Sequence, residues 1–253
     1  MISIDLLPQT AFIFMMVFAR LGSMVMLMPA LGEMAVPAQI RVILALVLTA
    51  VMMPLVSDTY SAIPPTIPGL AMAVTYEVAI GIFVGMAARL VMSALHVAGN
   101  IIALQTGLAF AQNVDPTQGS QSALVSSFLS LLGVTLIFVT GLHHLLIAAM
   151  RDSYVLFHPG DIFPAGDFLQ LAVKMVSGAF VLGVQLASPF LVFGLVFYIG
   201  IGLLSKLMPQ IQIFFIAMPA NIGLGLSLMF LILGAMATWF LQYFEQSVSM
   251  FIH

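Results

Sequence analysis

The chain has 253 residues, of which 62% are hydrophobic and only 6% are charged, whereas soluble globular domains carry about 25% charged residues. This composition excludes a soluble globular protein and indicates an integral membrane protein. A net charge of −3 with six Lys and Arg provides no basic face for nucleic acid, and the absence of cysteine excludes disulfides and thiolate metal sites.

Six apolar runs, separated by proline and glycine clusters, predict six helical blocks in an all-α, multi-helix membrane protein. The blocks are 11–31, 42–56, 70–107, 123–150, 168–205 and 211–244. Pro189 lies inside the fifth block, where a proline removes a backbone hydrogen bond and bends or breaks a helix. Two helical pieces are therefore expected there.

The lengths of these blocks do not match simple membrane spans. A bilayer core of about 30 Å needs about 20 helical residues. Block 42–56 would be only about 22 Å long, and block 70–107 about 57 Å. We therefore expect stacked, kinked helical hairpins that pack mainly on protein rather than as simple spans.

A charge inside an apolar run is costly and normally faces protein or water. The candidates for such a charge are Arg20, Glu77 and Arg89. Glu77 and Arg89 are too far apart to pair, because 12 positions on one helix correspond to about 18 Å. Each is expected to find a partner on another helix or another chain. A buried ion pair is favoured over a proton or ion relay, because a relay needs a series of titratable groups across the membrane.

The histidines form no recognisable metal site. His143 and His144 are adjacent, so on a helix they point about 100° apart, and His96 and His158 are isolated. The sequence contains no nucleophile–base pair, phosphate loop or dinucleotide-binding fingerprint. We expect no enzyme activity, no cofactor and no metal.

Gly81 and Gly85 follow Glu77 along one helix face. This spacing lets two helix backbones approach closely in a membrane. It fits packing within the chain as well as it fits a subunit interface, so both interpretations stay open.

Uncharged polar residues and a proline interrupt the apolar chain at 107–119. In lipid, irregular backbone is found only where protein buries it or a water-filled cavity hydrates it. An ordinary loop outside the membrane would also be polar, but such loops normally carry several Lys, Glu and Asp, whereas this one carries only Asp115. The tract therefore favours a loop that faces a pore.

Four groups of residues occur in an order that is typical of one family of membrane proteins. The first contains Ala19-Arg20, Pro29, Gly32-Glu33, Val36-Pro37 and Arg41, and the second contains Glu77, Gly81 and Gly85. The third contains Gly99, Gln105-Thr106-Gly107-Leu108, Asp115-Pro116 and Gly119, and the fourth contains Ser188-Pro189, Lys206-Leu207-Met208-Pro209-Gln210 and Pro219. Together they resemble the FliR family, the membrane protein of the flagellar type III export gate and the counterpart of the T component of virulence type III secretion.

The resemblance implies one FliR-like helical domain over residues 1–253, present once in a helical export gate. Its expected partners are several copies each of FliP and FliQ, together with FlhB and inner-membrane lipid. The expected substrates are unfolded flagellar proteins on their way through the inner membrane, and the expected location is the flagellar basal body.

The resemblance also implies that residues 107–119 act as a plug below the constriction of the gate, and we call them the plug loop. Leu108, Phe110 and Val114 are the expected occluding side chains. The remaining candidates in the loop are Gly107, Gln112, Asn113, Asp115, Pro116, Gln118 and Gly119. Structural or intersubunit charges are expected at Arg20, Glu33, Arg41, Glu77, Arg89 and Lys206.

The residues also fit three different functions. A small-molecule or ion transporter would fit the polar loop and the proline at position 189, and should show two related halves. A virulence-type gate subunit and a passive assembly scaffold would fit as well. Lys and Arg in the loops do not decide the orientation, because two lie on each side of the membrane in the predicted topology.

Overall fold

The structure, a computed structural model, describes residues 6–32, 36–60, 63–109, 124–161, 165–208 and 213–252. These residues form α-helices, one short 3₁₀ helix at Ser57–Thr59 and no strand, which confirms the predicted all-α class. The α-helices are α1 (Leu6–Leu27), α2 (Ala38–Val56), α3 (Ile67–Gln105), α4 (Leu124–Val139), α5 (His143–Leu156), α6 (Ala165–Leu207) and α7 (Ile213–Ser249).

Several of these helices are long and apolar enough to cross a membrane. Among the described residues there are five, namely α1, α2, α3, α6 and α7, or six spans if the bent pair α4–α5 is counted as one. Helices α3, α6 and α7 contain 39, 43 and 37 residues. At about 1.5 Å per residue they are about 55–65 Å long, roughly twice the thickness of a bilayer core. The chain is therefore a multi-pass membrane protein with helices longer than simple spans.

Helix α2 is longer than the sequence suggested. It begins at Ala38 and has 19 residues, about 28 Å, which is close to the thickness of a bilayer core. The prediction of a short second helix was wrong, because the polar residues Gln39 and Arg41 belong to its first turn. The apolar run seen in the sequence excluded that turn.

The fourth predicted block is two helices instead of one. Helices α4 and α5 meet at an angle of 76°. Gly141 lies between them with φ +77°, a left-handed conformation that is favourable mainly for glycine. The prediction of a continuous block was wrong because it treated Gly141 as part of the apolar run.

Helix α6 continues through Pro189, so the prediction of two pieces was also wrong. Proline has no N–H to donate to the carbonyl four residues earlier, which is that of Gln185. In the structure the hydroxyl of Ser188 donates to this carbonyl at 2.7 Å. Serine side chains can satisfy backbone groups that a proline frees in apolar surroundings. The helix therefore tolerates the proline.

The chain divides into two compact units. The first consists of Met1–Leu90, Phe138–Met175 and Phe244–His253. Its described core contains one face of α1 and the facing residues of α3, α5 and the C-terminal segment. The most deeply buried apolar residues include Met16, Val17, Leu21, Met24, Ile80, Met150 and Phe244.

Gly81 and Gly85 decide how α1 and α3 pack in this unit. A Cβ at Gly81 would meet the hydroxyl of Ser23 and the carbonyl of Arg20, and a Cβ at Gly85 would lie 2.9 Å from the carbonyl of Met24. The two glycines therefore serve packing within the chain, which is one of the two interpretations left open by the sequence.

The second unit consists of Val91–Ile137 and Val176–Tyr243. Its α3 and α4 segments pack closely at Gly99, where a Cβ would lie 2.6 Å from the backbone nitrogen of Ser126. The hydroxyl of Ser126 donates to the carbonyl of His96 at 3.0 Å, and Ser130 Oγ lies 3.2 Å from His96 Nε2. These contacts join the two helices that lead into and out of the plug loop.

Candidate functional site

The first candidate site is a buried ion pair in the first compact unit. Arg20 of α1 and Glu77 of α3 are 0% and 1% exposed. The Nε and Nη2 atoms of Arg20 donate to the Glu77 carboxylate at 2.5 and 3.2 Å. The planar guanidinium is suited to such a two-point contact. Glu77 thus has a partner on another helix, as its position in an apolar run predicted.

Arg20 also binds the C-terminal end of α5. Its Nη1 donates to the carbonyl of Ser153 at 2.9 Å, and its Nη2 donates to that of Phe157 at 3.1 Å. Carbonyls at a helix C-terminus lack helical partners and carry partial negative charge, so a cation stabilises them. The guanidinium also lies 4.1 Å from the centroid of the Tyr154 ring, in a cation–π contact. Arg20 therefore holds α1, α3 and α5 together.

Tyr60 completes this cluster from the segment that follows α2. Its ring lies edge-on to that of Tyr154, with the centroids 6.3 Å apart. Burial, together with the neighbouring Tyr154 and Glu77, raises the pKa of the Tyr60 hydroxyl above its ordinary value, so this phenol is neutral at physiological pH. The cluster pairs one positive and one negative side chain beside aromatic rings. This geometry is suited to holding helices together.

The second candidate site is the C-terminal end of α3, where the chain enters the plug loop. Gly107 has φ +76°, a conformation that commonly follows the last residue of a helix and that favours glycine. The Nδ2 atom of Asn221, on α7, donates to the carbonyl of Gln105 at 3.1 Å. This bond supplies a partner that the last turn of α3 lacks. Asn221 is 3% exposed, so the bond is shielded from solvent.

Two further glycines bring α6 and α7 against the same helix end. A Cβ at Gly194 of α6 would meet the side chain of Gln105, and one at Gly225 of α7 would meet that of Thr106. Thr106 is itself buried, and its hydroxyl donates to the carbonyl of Ile102 at 2.8 Å. Helices α6 and α7 thus both contact the C-terminal end of α3. These contacts fix the position at which the chain leaves α3.

The described residues include only the beginning of the plug loop. Gly107 is buried and Leu108 is half-buried. The other predicted plug residues lie outside the described residues: Phe110, Gln112, Asn113, Val114, Asp115, Pro116, Gln118 and Gly119. Their role in occlusion therefore stays a prediction.

The other charged candidates lie in different environments. Arg41 is half-buried, and its Nε donates to the carbonyl of Val36 at 3.1 Å. Lys206 is exposed in the last turn of α6, where a cation interacts favourably with the helix dipole. Arg89 is exposed on α3 and pairs with no carboxylate of the described chain. Glu33 lies outside the described residues.

No group of three or more His, Asp or Glu side chains in the described ranges is placed to hold a metal ion. The rings of His143 and His144 lie against each other, with centroids 4.1 Å apart. His144 Nδ1 is 3.0 Å from the carbonyl of Gly141. These histidines contribute to the turn between α4 and α5.

Three residues of the candidate sites were not identified from the sequence, namely Tyr60, Tyr154 and Asn221. Tyr60 and Tyr154 gave no signal, because aromatic residues are common in apolar membrane proteins. Asn221 did give one, since it is an isolated amide that follows Pro219 in an apolar run. A buried amide in such a helix needs hydrogen-bond partners, and this requirement could have identified it.

Comparisons with known proteins now identify the family. The family model described as bacterial export proteins, family 1, matches residues 11–247. The flagellar biosynthetic protein FliR of Caulobacter vibrioides is 47% identical over 231 residues, which cover 91% of this chain and 92% of that protein. FliR of Bacillus subtilis is 25% identical, with 88% of this chain and 85% of that protein covered.

A relative that covers a smaller part of the chain comes from virulence secretion. The Yop proteins translocation protein T of Yersinia pestis is 28% identical over 152 residues, which cover 59% of this chain and 58% of that protein. The predicted resemblance is therefore confirmed for both the flagellar family and its virulence counterpart. Because the family model matches almost the whole sequence, the chain belongs to family 1 of the bacterial export proteins, the family of the FliR flagellar biosynthetic proteins.

Proposed function

We propose that this chain is a subunit of the flagellar type III protein export gate and helps to form and close the channel through which unfolded flagellar proteins cross the inner membrane. The observation that carries the proposal is the 47% identity to a flagellar FliR over 91% of the chain. The chain is a component of the flagellar export apparatus and a multi-pass membrane protein. In this proposal residues 1–253 act as one functional domain within the flagellar basal body.

The chain acts together with other proteins of the export apparatus. We assign FliP and FliQ, in several copies each, and FlhB as the specific partners, in a helical assembly with a single copy of this chain. The apolar exposed faces of α2 and α6 support a need for such partners or for lipid, because apolar surface of this extent is not left in water. On α2 this face includes Ile43, Val51 and Leu55, each at least 60% exposed.

Gating depends on the plug loop in this proposal. At rest, Leu108, Phe110 and Val114 occlude the constriction, because apolar side chains exclude water and ions from a narrow pore. When a substrate enters, the loop moves aside, and Gln112, Asn113 and Gln118 form hydrogen bonds with water. The contacts of Gln105 with Asn221 and Gly194 support this mechanism, since they give the loop a fixed starting point.

The subunit performs no covalent chemistry in this proposal, and energy for export is supplied elsewhere in the apparatus. Membership of an export family does not favour the alternative of a small-molecule or ion transporter. A flagellar role is preferred to a virulence role, because the flagellar relative shares 47% identity over 91% of the chain and the virulence relative 28% over 59%.

Removing the plug loop tests this function. Deleting residues 107–119, or replacing them with a Gly/Ser linker of the same length, is expected to raise the leakage of small ions, because the occluding side chains are lost. The measurement is the ion conductance of membranes that contain the variant together with the other apparatus proteins. Co-purification establishes that the complex has assembled.

The segment Ser57–Thr59, replaced by Gly and Ser residues, is a control that changes a different connection. It is expected to leave conductance at the wild-type level. Unchanged leakage after removal of the plug loop, in an assembled complex, would exclude the plug assignment and favour a passive scaffold.

A further inference from the structure

Arg89 lies on an exposed face of α3 in the first compact unit. Ile82 and Met86, at seven and three positions before it, lie on the same side of the helix. They are 40% and 43% exposed, and Arg89 is also exposed. We call these three residues the Arg89 face.

A charge beside exposed apolar side chains is costly without a partner wherever lipid or protein covers them. Arg89 and Glu77 are the charged residues of α3, and Glu77 is neutralised by Arg20. Along the helix, Arg89 lies about 33 Å from Ile67 and about 24 Å from Gln105. Its side chain therefore cannot reach the unpaired backbone groups at either end of the helix. Where lipid or protein covers an apolar helix, an arginine on it normally pairs with another group.

The other described arginines have partners within the chain. Arg20 pairs with Glu77, and Arg151 donates to Asp152 at 2.7 Å. Arg41 donates to a backbone carbonyl. Arg89 differs because none of the carboxylates in the described ranges pairs with it. Its partner must therefore come from outside this set of residues.

We propose that the Arg89 face binds an apolar membrane helix of a neighbouring subunit and that a carboxylate on this helix pairs with Arg89. Charge complementarity identifies the kind of partner. The two apolar side chains fit an apolar helix, and the single cation fits one Asp or Glu on that helix. Met and Arg are also enriched at the centres of protein interfaces. The inference rests on the proposed function only for identifying the neighbour as an export-apparatus protein.

The test compares charge variants in the assembled apparatus. An affinity-tagged chain is expressed with the other apparatus proteins, and the retained partners are quantified for wild type, Arg89→Lys and Arg89→Glu. Arg89→Glu is expected to lower retention of one partner at least about tenfold, because it places two carboxylates together at the interface. Arg89→Lys keeps the charge and is expected to lose less. Lys174→Glu is the matched control with the same charge change at an exposed position of α6, and should retain this partner.

Second-site suppressors of Arg89→Glu identify the partner. They are expected to replace an Asp or Glu of a neighbouring subunit with a neutral or basic residue. Suppressors that change a carboxylate of this chain would overturn the proposal, since the pair would then be internal. Retention equal to wild type for Arg89→Glu would also overturn it. If the wild-type chain itself retains no apparatus protein, the proposed function fails as well.

A crosslinking experiment keeps the test independent of folding defects in Arg89→Glu. The chain contains no cysteine, so Met86→Cys introduces a unique thiol on the Arg89 face. A thiol-linked photoreactive group at this position is expected to crosslink to another protein subunit. Crosslinks to lipid alone would show that lipid phosphate or acyl chains cover the face, and would overturn the proposal.

Discussion

Replacing Arg20 with methionine is expected to lower the free energy of unfolding by about 3–5 kcal/mol. The substitution leaves the Glu77 carboxylate buried without a cation, and it removes the donors to the carbonyls of Ser153 and Phe157. Unfolding of the purified protein in mild detergent, followed by titration with a denaturing detergent, measures the difference.

Two controls separate the ion pair from a general effect of the substitution. The double variant Arg20→Met/Glu77→Met is expected to recover most of the loss, because no uncompensated charge is then buried. Lys174→Met, at an exposed position of α6, is expected to change stability by less than about 1 kcal/mol. An Arg20→Met protein as stable as wild type would contradict the assigned role of the ion pair.

Gly99→Ala is expected to destabilise the second compact unit by about 1–3 kcal/mol. The new methyl group would meet the backbone of Ser126, which cannot move aside as the end of a flexible side chain can. Helices α3 and α4 would have to separate, and the hydrogen bond from Ser126 to the carbonyl of His96 would be disturbed. The same titration in detergent measures this loss.

Gly234→Ala provides the matched control for this prediction. A Cβ at Gly234 would have no neighbour within 4 Å, and alanine is favoured over glycine in a helix by about 1 kcal/mol. This variant should therefore be as stable as wild type or more stable. Equal stability of Gly99→Ala and Gly234→Ala would show that α3 and α4 do not pack closely at Gly99.

Much of the fold could be predicted because apolar run length and composition alone indicate long membrane helices. Two of the three errors arose where one residue decides the local backbone, and the third arose because the apolar run left out the polar first turn of α2. Gly141 ends a helix through its left-handed conformation, which no run of apolar residues reveals. Pro189 does not end a helix, because the Ser188 hydroxyl donates a hydrogen bond to the carbonyl of Gln185, which a proline leaves without a backbone donor. That compensation depends on a side-chain rotamer and is not visible in composition.

The sites were predictable to different extents. The cost of a buried charge predicted that Glu77 needs a partner, but the choice of Arg20 depends on the packing of α1 against α3 at Gly81. The break between α3 and α4 could be predicted from the polar residues of 107–119, and the role of this segment as a plug stays a prediction. The contact between Asn221 and Gln105 joins residues far apart in the sequence, so only the fold brings them together.

Native mass spectrometry of the affinity-tagged chain tests the central claim most directly. The chain is expressed with its neighbouring genes and extracted in mild detergent. The proposed function predicts a complex with one copy of this chain and several copies each of two other small helical membrane proteins. A stable monomer or symmetric homodimer, under conditions that preserve other membrane complexes, would contradict the assignment to an export gate.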